Sequence, residues 1–160
     1  DLHSFPTRRS SDLDLEQLDA ASIDVAFISL DKILPAVKKL LAPDAFVLAL
    51  IKPQFEAGKE HIGKKGVVRD PEVHKEVIRR IITLAQEEGF TIGGLDFSPV
   101  KGPEGNIEYL LYLTTGSGTG AGKVDGTQAG RDKVVPEVQN TALSIDIDAI
   151  VTASHAALDK

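Results

Sequence analysis

The sequence predicts an α/β fold, specifically the second half of a doubly wound sheet in which strands and flanking helices alternate. Two features of the chain support this prediction. Segments with strand-like and helix-like patterns follow one another from Ile23 onward, and the segment Ala45–Ile51 is apolar at every position. A continuous apolar run of this length is typical of a strand buried on both faces of a parallel sheet. The alternation of strands and helices favours parallel pairing with crossover helices.

The first predicted elements form a strand, helix, strand unit. The first strand is predicted over Ile23–Leu30, the helix over Asp31–Leu41 and the buried strand over Ala45–Ile51. Apolar side chains recur in the helix every three or four residues, which places them on one face. These side chains are Ile33, Leu34, Val37, Leu40 and Leu41.

A second helix is predicted from Pro71 to about Glu88, after a polar loop that covers Pro53–Arg69. Asp70 precedes this helix and provides a capping carboxylate, and proline is well suited to the first helical position. Gly89 stands where a left-handed residue commonly ends a helix.

Two further strands are predicted over Phe90–Val100 and Ile107–Thr115, joined by the short turn 101–106. So short a link favours an antiparallel hairpin that closes the sheet. Residues 116–140 are predicted to be a linker rich in glycine and polar residues. The run GSGTGAG at 116–122 fits a phosphate-binding G-x-G-x-x-A pattern, but no helix is predicted after it to complete such a site. Residues 141–160 are predicted to form a helical tail, with the helix over Leu143–Leu158.

The opening residues 1–13 resemble a translated sequencing adapter and are predicted to be a non-native leader. The alternative is a natural basic arm centred on Arg8 and Arg9. On the first interpretation, the folded domain covers residues 14–115.

Composition narrows the classes of function. The chain has no cysteine, which excludes disulfides, thiolate nucleophiles and cysteine-ligated zinc, and its four histidines are scattered, so no metal site is predicted. No apolar run approaches the length of a membrane span, and we expect a soluble, cytoplasmic protein without a membrane partner. The net charge of -6 argues against a free-standing nucleic-acid-binding module, so any contact with RNA must be local.

Three charged residues lie where the predicted apolar strands begin or end, namely Asp24, Lys52 and Glu108. Ligands of open parallel sheets bind at the carboxyl ends of the strands, so these residues are the candidates for chemistry. A lysine that ends a buried strand is costly unless it is paired. Each residue also has a structural interpretation, as a lysine that extends to solvent, a turn cap or a surface carboxylate.

Four strings extend the evidence beyond these single residues. They are DVAFISL (24–30), KPQFEAG (52–58), KKGVVRD (64–70) and SPVKGPEGNIEYL (98–110). With them, the chain from about Ile23 to Leu113 resembles the TlyA family of FtsJ-like rRNA methyltransferases, whose members are often labelled hemolysin A.

The resemblance implies the C-terminal half of a Rossmann-like methyltransferase sheet and 2'-O-methylation of ribose in ribosomal RNA, with S-adenosylmethionine as cofactor. It also implies that Asp24, Lys52 and Glu108 are the last three members of a Lys-Asp-Lys-Glu tetrad, with Asp24 beside the cofactor. The first lysine, the glycine-rich cofactor turn and an S4-type RNA-binding domain are expected upstream of this chain.

Lys52 is the candidate base for the ribose hydroxyl. A lysine accepts a proton only as the neutral amine, a form that a neighbouring cation favours and nearby carboxylates oppose. The family's upstream lysine is expected to supply that cation, so we expect this chain to be inactive by itself.

Four residues are predicted to contact the RNA. Lys64, Lys65 and Arg69 form a basic loop suited to phosphate contacts, with a solvated charged loop as the alternative, and Phe55 is placed to stack on a base, with a core position as its alternative. The sequence is also compatible with two other functions. One is a non-catalytic RNA- or ribosome-binding module, and the other is a hemolysin-type membrane activity that no spanning segment supports.

Overall fold

The computed structural model describes residues 17–116 and 145–159. Within these residues, four strands are present: β1 (Leu18–Ile23), β2 (Leu41–Ile51), β3 (Thr91–Phe97) and β4 (Tyr109–Thr114). The described part of the chain also has four α-helices: α1 (Leu30–Lys38), α2 (Pro53–Glu56), α3 (Pro71–Glu87) and α4 (Ile147–Leu158). Two single 3₁₀ turns, Lys59–His61 and Lys64–Gly66, lie between α2 and α3.

The described strands form one mixed sheet with the order β1-β2-β4-β3. β1 pairs with β2 in parallel, and β4 pairs antiparallel with both β2 and β3. The α/β class and the closing antiparallel hairpin are therefore confirmed. The last strand does not extend the sheet at its edge but lies between β2 and β3.

The helices cover one face of this sheet. On β2, Ala45, Val47, Ala49 and Ile51 are buried in one core cluster with residues of α1, α3, α4 and β4. The alternate residues Phe46 and Leu48 are 45% and 40% exposed. The prediction of a strand buried on both faces is therefore wrong for the described part of the chain, because the helices described there pack against one face only.

The prediction of a first strand over Ile23–Leu30 is also wrong. β1 ends at Ile23, and residues 24–29 form a loop in which Phe27 has a left-handed backbone with φ of 61°. Ser29 then caps α1 by accepting a hydrogen bond from the amide of Asp31 at 3.2 Å. The apolar string at 25–28 resembles a strand in composition, but the serine cap starts the helix and the intervening residues connect it to β1.

The following boundaries also shift. α1 ends at Lys38, three residues before the predicted end, and β2 begins at Leu41 rather than Ala45. The predicted polar loop 53–69 contains α2 and the two 3₁₀ turns.

The second helix agrees with expectation. α3 covers Pro71–Glu87, and the carboxylate of Asp70 accepts from the amide of Glu72 at 2.9 Å. Gly89 follows α3 with a φ of +81°, as expected for a left-handed helix end. α4 lies within the predicted helical tail and contacts α3. The leader 1–13 and nearly all of the linker 116–140 lie outside the described residues.

Candidate functional site

The three charged candidates lie at the same end of the strands, where β1 and β2 end and β4 begins. Ile51 of β2 pairs with Tyr109 of β4, so Lys52, one residue beyond, lies opposite Glu108, one residue before. Ile23 ends β1 beside Ala49 of β2, so Asp24 also follows its strand at this edge. The backbone register alone thus brings the three positions to one rim of the molecule.

The side chains of Asp24 and Lys52 form an ion pair. The distance between Lys52 Nζ and Asp24 Oδ1 is 2.5 Å. The lysine side chain is only 15% exposed, whereas the carboxylate of Asp24 is 68% exposed. The lysine side chain is therefore largely shielded from solvent, while its partner carboxylate remains accessible to a ligand.

Glu108 joins this edge through a different partner. It is buried, with 8% exposure, and its Oε1 accepts a hydrogen bond from Gln54 Nε2 at 3.2 Å. Gln54 lies in α2, two residues after Lys52, so the glutamine links the carboxylate to the turn that carries the amine. Sequence reasoning missed Gln54. The only signal for it is its place beside Lys52 in the string KPQFE.

An aromatic pair joins the same two segments as the ion pair. The rings of Phe27 and Phe55 have centroids 4.9 Å apart and are tilted by 52°. Phe27 lies three residues after Asp24 and is 91% exposed, which is unusual for a large apolar side chain in a left-handed backbone. Phe55, which is partly buried, is a candidate from the sequence. Phe27 is missed there because its segment is assigned to a buried strand.

The predicted basic residues Lys64, Lys65 and Arg69 are exposed on the loop before α3. Asn106 anchors this loop, because its Oδ1 accepts from the amide of Val68 at 3.0 Å and its Nδ2 donates to the carbonyl of Gly66 at 3.0 Å. Asn106 is buried and lies two residues from Glu108. Within the described residues, no hydrogen bond or ion pair joins the three basic side chains to the Asp24–Lys52 pair.

His74 is buried and lies in α3, outside the group of candidate residues. Its Nδ1 lies 2.8 Å from the hydroxyl of Tyr109, and its Nε2 lies 3.0 Å from the carbonyl of Val68. Burial of the ring lowers the pKa of His74, and the nearby charge of His155 adds to this effect. His74 therefore packs as a neutral core residue.

Neither a metal site nor a membrane span is found in the described parts of the chain. Across 17–116 and 145–159, no three histidine, aspartate or glutamate side chains are grouped closely enough to hold a metal ion. None of the helices in those ranges is both long and apolar enough to cross a membrane.

Comparison with known proteins identifies the family. The family model described as FtsJ-like methyltransferase matches residues 3–115. The chain is 56% identical over 93 residues to YqxC of Bacillus subtilis (strain 168), named as an rRNA methyltransferase. It is 41% identical over 99 residues to the 16S/23S rRNA (cytidine-2'-O)-methyltransferase TlyA of Mycobacterium tuberculosis. These matches cover 58% and 62% of this chain but only 33% and 37% of the relatives, so the chain spans about a third of their length.

Two solved structures agree with this result. A protein from Streptococcus thermophilus named as a hemolysin has a TM-score of 0.68 and 39% identity, over 88% of this chain and 44% of the other. A second, from Lactococcus lactis, has a TM-score of 0.68 and 36% identity, over 89% and 59% of the two chains. The match to the family model covers more than half of the sequence, and the described fold agrees with it. The chain belongs to the FtsJ-like methyltransferase family.

Proposed function

We propose that this chain forms the catalytic edge of an S-adenosylmethionine-dependent enzyme that methylates ribose 2'-hydroxyls in ribosomal RNA. The observation that carries the proposal is the largely buried Lys52 amine in contact with Asp24, with Glu108 opposite in the strand register. The relatives named as rRNA methyltransferases support the same substrate class.

Lys52 is proposed to receive the proton of the attacking hydroxyl. Methyl transfer needs the hydroxyl oxygen to be held in line and deprotonated as the new bond forms. Asp24 fixes the amine at 2.5 Å, and Gln54 ties Glu108 to the same turn. A lysine accepts a proton only as the neutral amine, a form that a neighbouring cation favours. In the proposal, the family's upstream lysine is that cation.

The residues at this edge fit a cationic methyl donor. When bound, S-adenosylmethionine supplies the methyl group from its sulfonium. The exposed carboxylate of Asp24 is the group of this chain that we assign beside the cofactor, because a carboxylate stabilises a positive charge and this one is 68% exposed.

The RNA is proposed to contact the aromatic pair and the basic loop. An exposed phenylalanine that already packs on a second ring offers a flat apolar surface to a nucleobase, and base stacking tolerates any sequence. Lys64, Lys65 and Arg69 would contact phosphates and set the position of the strand without selecting its sequence.

A chimera tests the proposal. Residues 17–116 of this chain replace the homologous segment of M. tuberculosis TlyA, and transfer of labelled methyl groups to ribosomal RNA is measured together with the yield of 2'-O-methylcytidine. We expect activity in the chimera and a loss on the order of a hundredfold or more for Lys52→Met. Lys39→Met removes an exposed lysine just before β2, at the opposite end of that strand from Lys52, and serves as the matched control.

Three results would contradict the proposal: a folded but inactive chimera, a Lys52→Met variant that keeps full activity, or methylation of bases instead of ribose. RNA binding that persists in the chimera while transfer is absent would favour the non-catalytic binding module, to which the exposed ring of Phe27 and the basic loop are equally suited.

A further inference from the structure

Glu56 is a buried carboxylate that the proposed chemistry does not use. It is the last residue of α2, and its side chain is 2% exposed. Burial of a carboxylate is unfavourable unless hydrogen bonds and opposite charge compensate it, so the partners of Glu56 show what its position requires.

Those partners come from two other parts of the fold. Oε2 accepts from the hydroxyl of Ser29 at 2.6 Å, and Oε1 accepts from the amide of Leu30 at 2.8 Å. Arg80 of α3 donates to Oε2 at 3.1 Å and to the backbone carbonyl of Glu56 at 2.7 Å. The first two contacts lie at the start of α1, where a negative charge is also favoured by the helix dipole.

The positions of these contacts connect the two segments that carry the site. Ser29 ends the loop that contains Asp24 and Phe27, and Glu56 ends the turn that contains Lys52 and Phe55. Apart from the ion pair and the ring contact, Glu56 supplies hydrogen bonds between the two segments, across 26 and 27 residues of sequence.

We infer that Glu56 is a positioning residue that holds the Asp24–Phe27 loop against the Lys52–Phe55 turn and so presents the exposed ring of Phe27 to RNA. The expected effect on RNA binding rests on the proposed function, whereas the role of Glu56 in holding the loop does not depend on RNA. The left-handed backbone of Phe27 supports this role, because such a conformation persists only where the surrounding structure holds it.

The chain contains no tryptophan, so Phe27→Trp introduces a single fluorescent indole at this position. In that background we compare Glu56→Ala, Glu56→Gln and Ser29→Ala by time-resolved anisotropy well below the melting transition. We expect the residual anisotropy of the indole to fall by about half in Glu56→Ala, because the ring gains motion on the nanosecond scale. Glu56→Gln and Ser29→Ala should lie between this variant and the parent.

The matched control is Asp146→Ala, which removes a carboxylate that accepts from the amide of Ala149 at the start of α4, far from the loop in sequence. It lowers stability through the same kind of contact and should leave the anisotropy of the indole unchanged. If Glu56→Ala does not fold, the two milder variants still report on the loop. Equal anisotropy in the parent and the folded variants, or the same decrease in Asp146→Ala, would overturn the inference.

A second measurement separates this inference from the proposed function. A hexamer of oligocytidine is titrated while quenching of the indole fluorescence is recorded, and Glu56→Ala should weaken binding on the order of tenfold. If the parent shows no quenching but the order of anisotropies holds, the RNA contact is wrong and the positioning role of Glu56 stands. If the parent binds and Glu56→Ala binds equally well, the positioning role is wrong.

Discussion

Glu108 has room beside Gln54 because its neighbour in the hairpin turn has no side chain. A Cβ atom placed on Gly102 would lie 2.7 Å from Oε1 of Glu108, which is closer than a Cβ atom approaches a non-bonded oxygen. Gly102 also donates its amide to the carbonyl of Asn106 at 2.9 Å, so the turn itself is fixed and the carboxylate would have to move.

Gly102→Ala should therefore displace the Glu108 carboxylate and break its hydrogen bond to Gln54, at a small cost in stability of about 1 kcal/mol or less. Methyl transfer by the TlyA chimera should fall, whereas its melting temperature should change little. Gly94→Ala is the matched control, since a Cβ there meets nothing within 4 Å. Normal activity of the Gly102→Ala chimera would show that the carboxylate position is not important.

A substitution at Phe27 should affect RNA binding more than stability, because so little of its side chain is buried. With 91% of the residue exposed, Phe27→Ala should change the free energy of unfolding by about 0.5 kcal/mol or less. Binding of single-stranded RNA should weaken by about 1 to 3 kcal/mol, the usual contribution of a stacked base. Chemical denaturation and RNA titration of the same preparation check both values, and a variant that loses stability but keeps affinity would contradict the stacking role.

At the scale of elements, a polar network holds α4 against the rest of the fold. The buried hydroxyl of Tyr109 on β4 contacts His74 of α3 at 2.8 Å and Ser154 of α4 at 3.0 Å. His155 lies 3.3 Å from His74 and 2.6 Å from Asp159, which also pairs with Lys101 at 2.7 Å. Burial raises the pKa of Tyr109 to about 12, so its hydroxyl stays protonated.

This network predicts a pH dependence of stability. Burial lowers the pKa of His74 below its ordinary value of 6.5, so the unfolded chain binds this proton more tightly than the folded chain. Stability from this residue is present above pH 6.5 and is lost as the pH falls below it. The ion pairs of Asp148 and Asp159 lower the pKa of both carboxyls below 3.8, so their contribution is lost only at more acidic pH.

Unfolding free energies measured from about pH 7 to pH 5 should therefore decrease, and His74→Gln should flatten this slope even if it lowers stability at every pH. His61→Gln, at an exposed histidine, is the matched control. A slope that is the same in both variants would show that His74 is not the group responsible.

The elements differ in how well the sequence predicts them, for identifiable reasons. α3 is predicted almost to its ends because Asp70, Pro71 and Gly89 are local signals that act within one turn of the chain. The prediction for segment 24–29 fails because its apolar composition resembles that of a buried strand. Hydrophobicity does not distinguish a side chain that packs in the core from one, such as Phe27, that remains exposed beside a site.

The candidate site shows the same limit. Asp24, Lys52 and Glu108 can be found because they follow or precede apolar strands, and the register then explains why they share an edge. Gln54 and Glu56 act through contacts with residues 54 and 26 positions away, and no local pattern predicts such partners.

At the scale of the whole molecule, the face of the sheet that no described helix covers carries exposed apolar side chains. Phe46, Leu48 and Tyr112 are 40% to 45% exposed, and the rings of Phe46 and Tyr112 lie 6.0 Å apart. β1 lies at the end of the described sheet and pairs only with β2 there. Exposed apolar faces and strand edges both favour self-association.

The chain by itself should therefore associate as its concentration rises, as measured by sedimentation velocity. Leu48→Lys should reduce this association because it introduces a charge into the middle of the exposed face. Val100→Lys, at an equally apolar but separate position with 68% exposure, is the control for added charge. A single monomeric species at all concentrations would contradict this prediction.

The position of β4 between β2 and β3 also has a consequence for biosynthesis. In the described sheet, β3 has β4 as its only neighbour, and one side of β2 is completed by β4 as well. A ribosome releases β2 and β3 first, so the backbone groups of β3 and those on the β4 side of β2 must wait for Thr114 to emerge before they find their partners. Translation pauses before that residue would prolong a state with unpaired strands, the stage at which nascent chains depend most on chaperones.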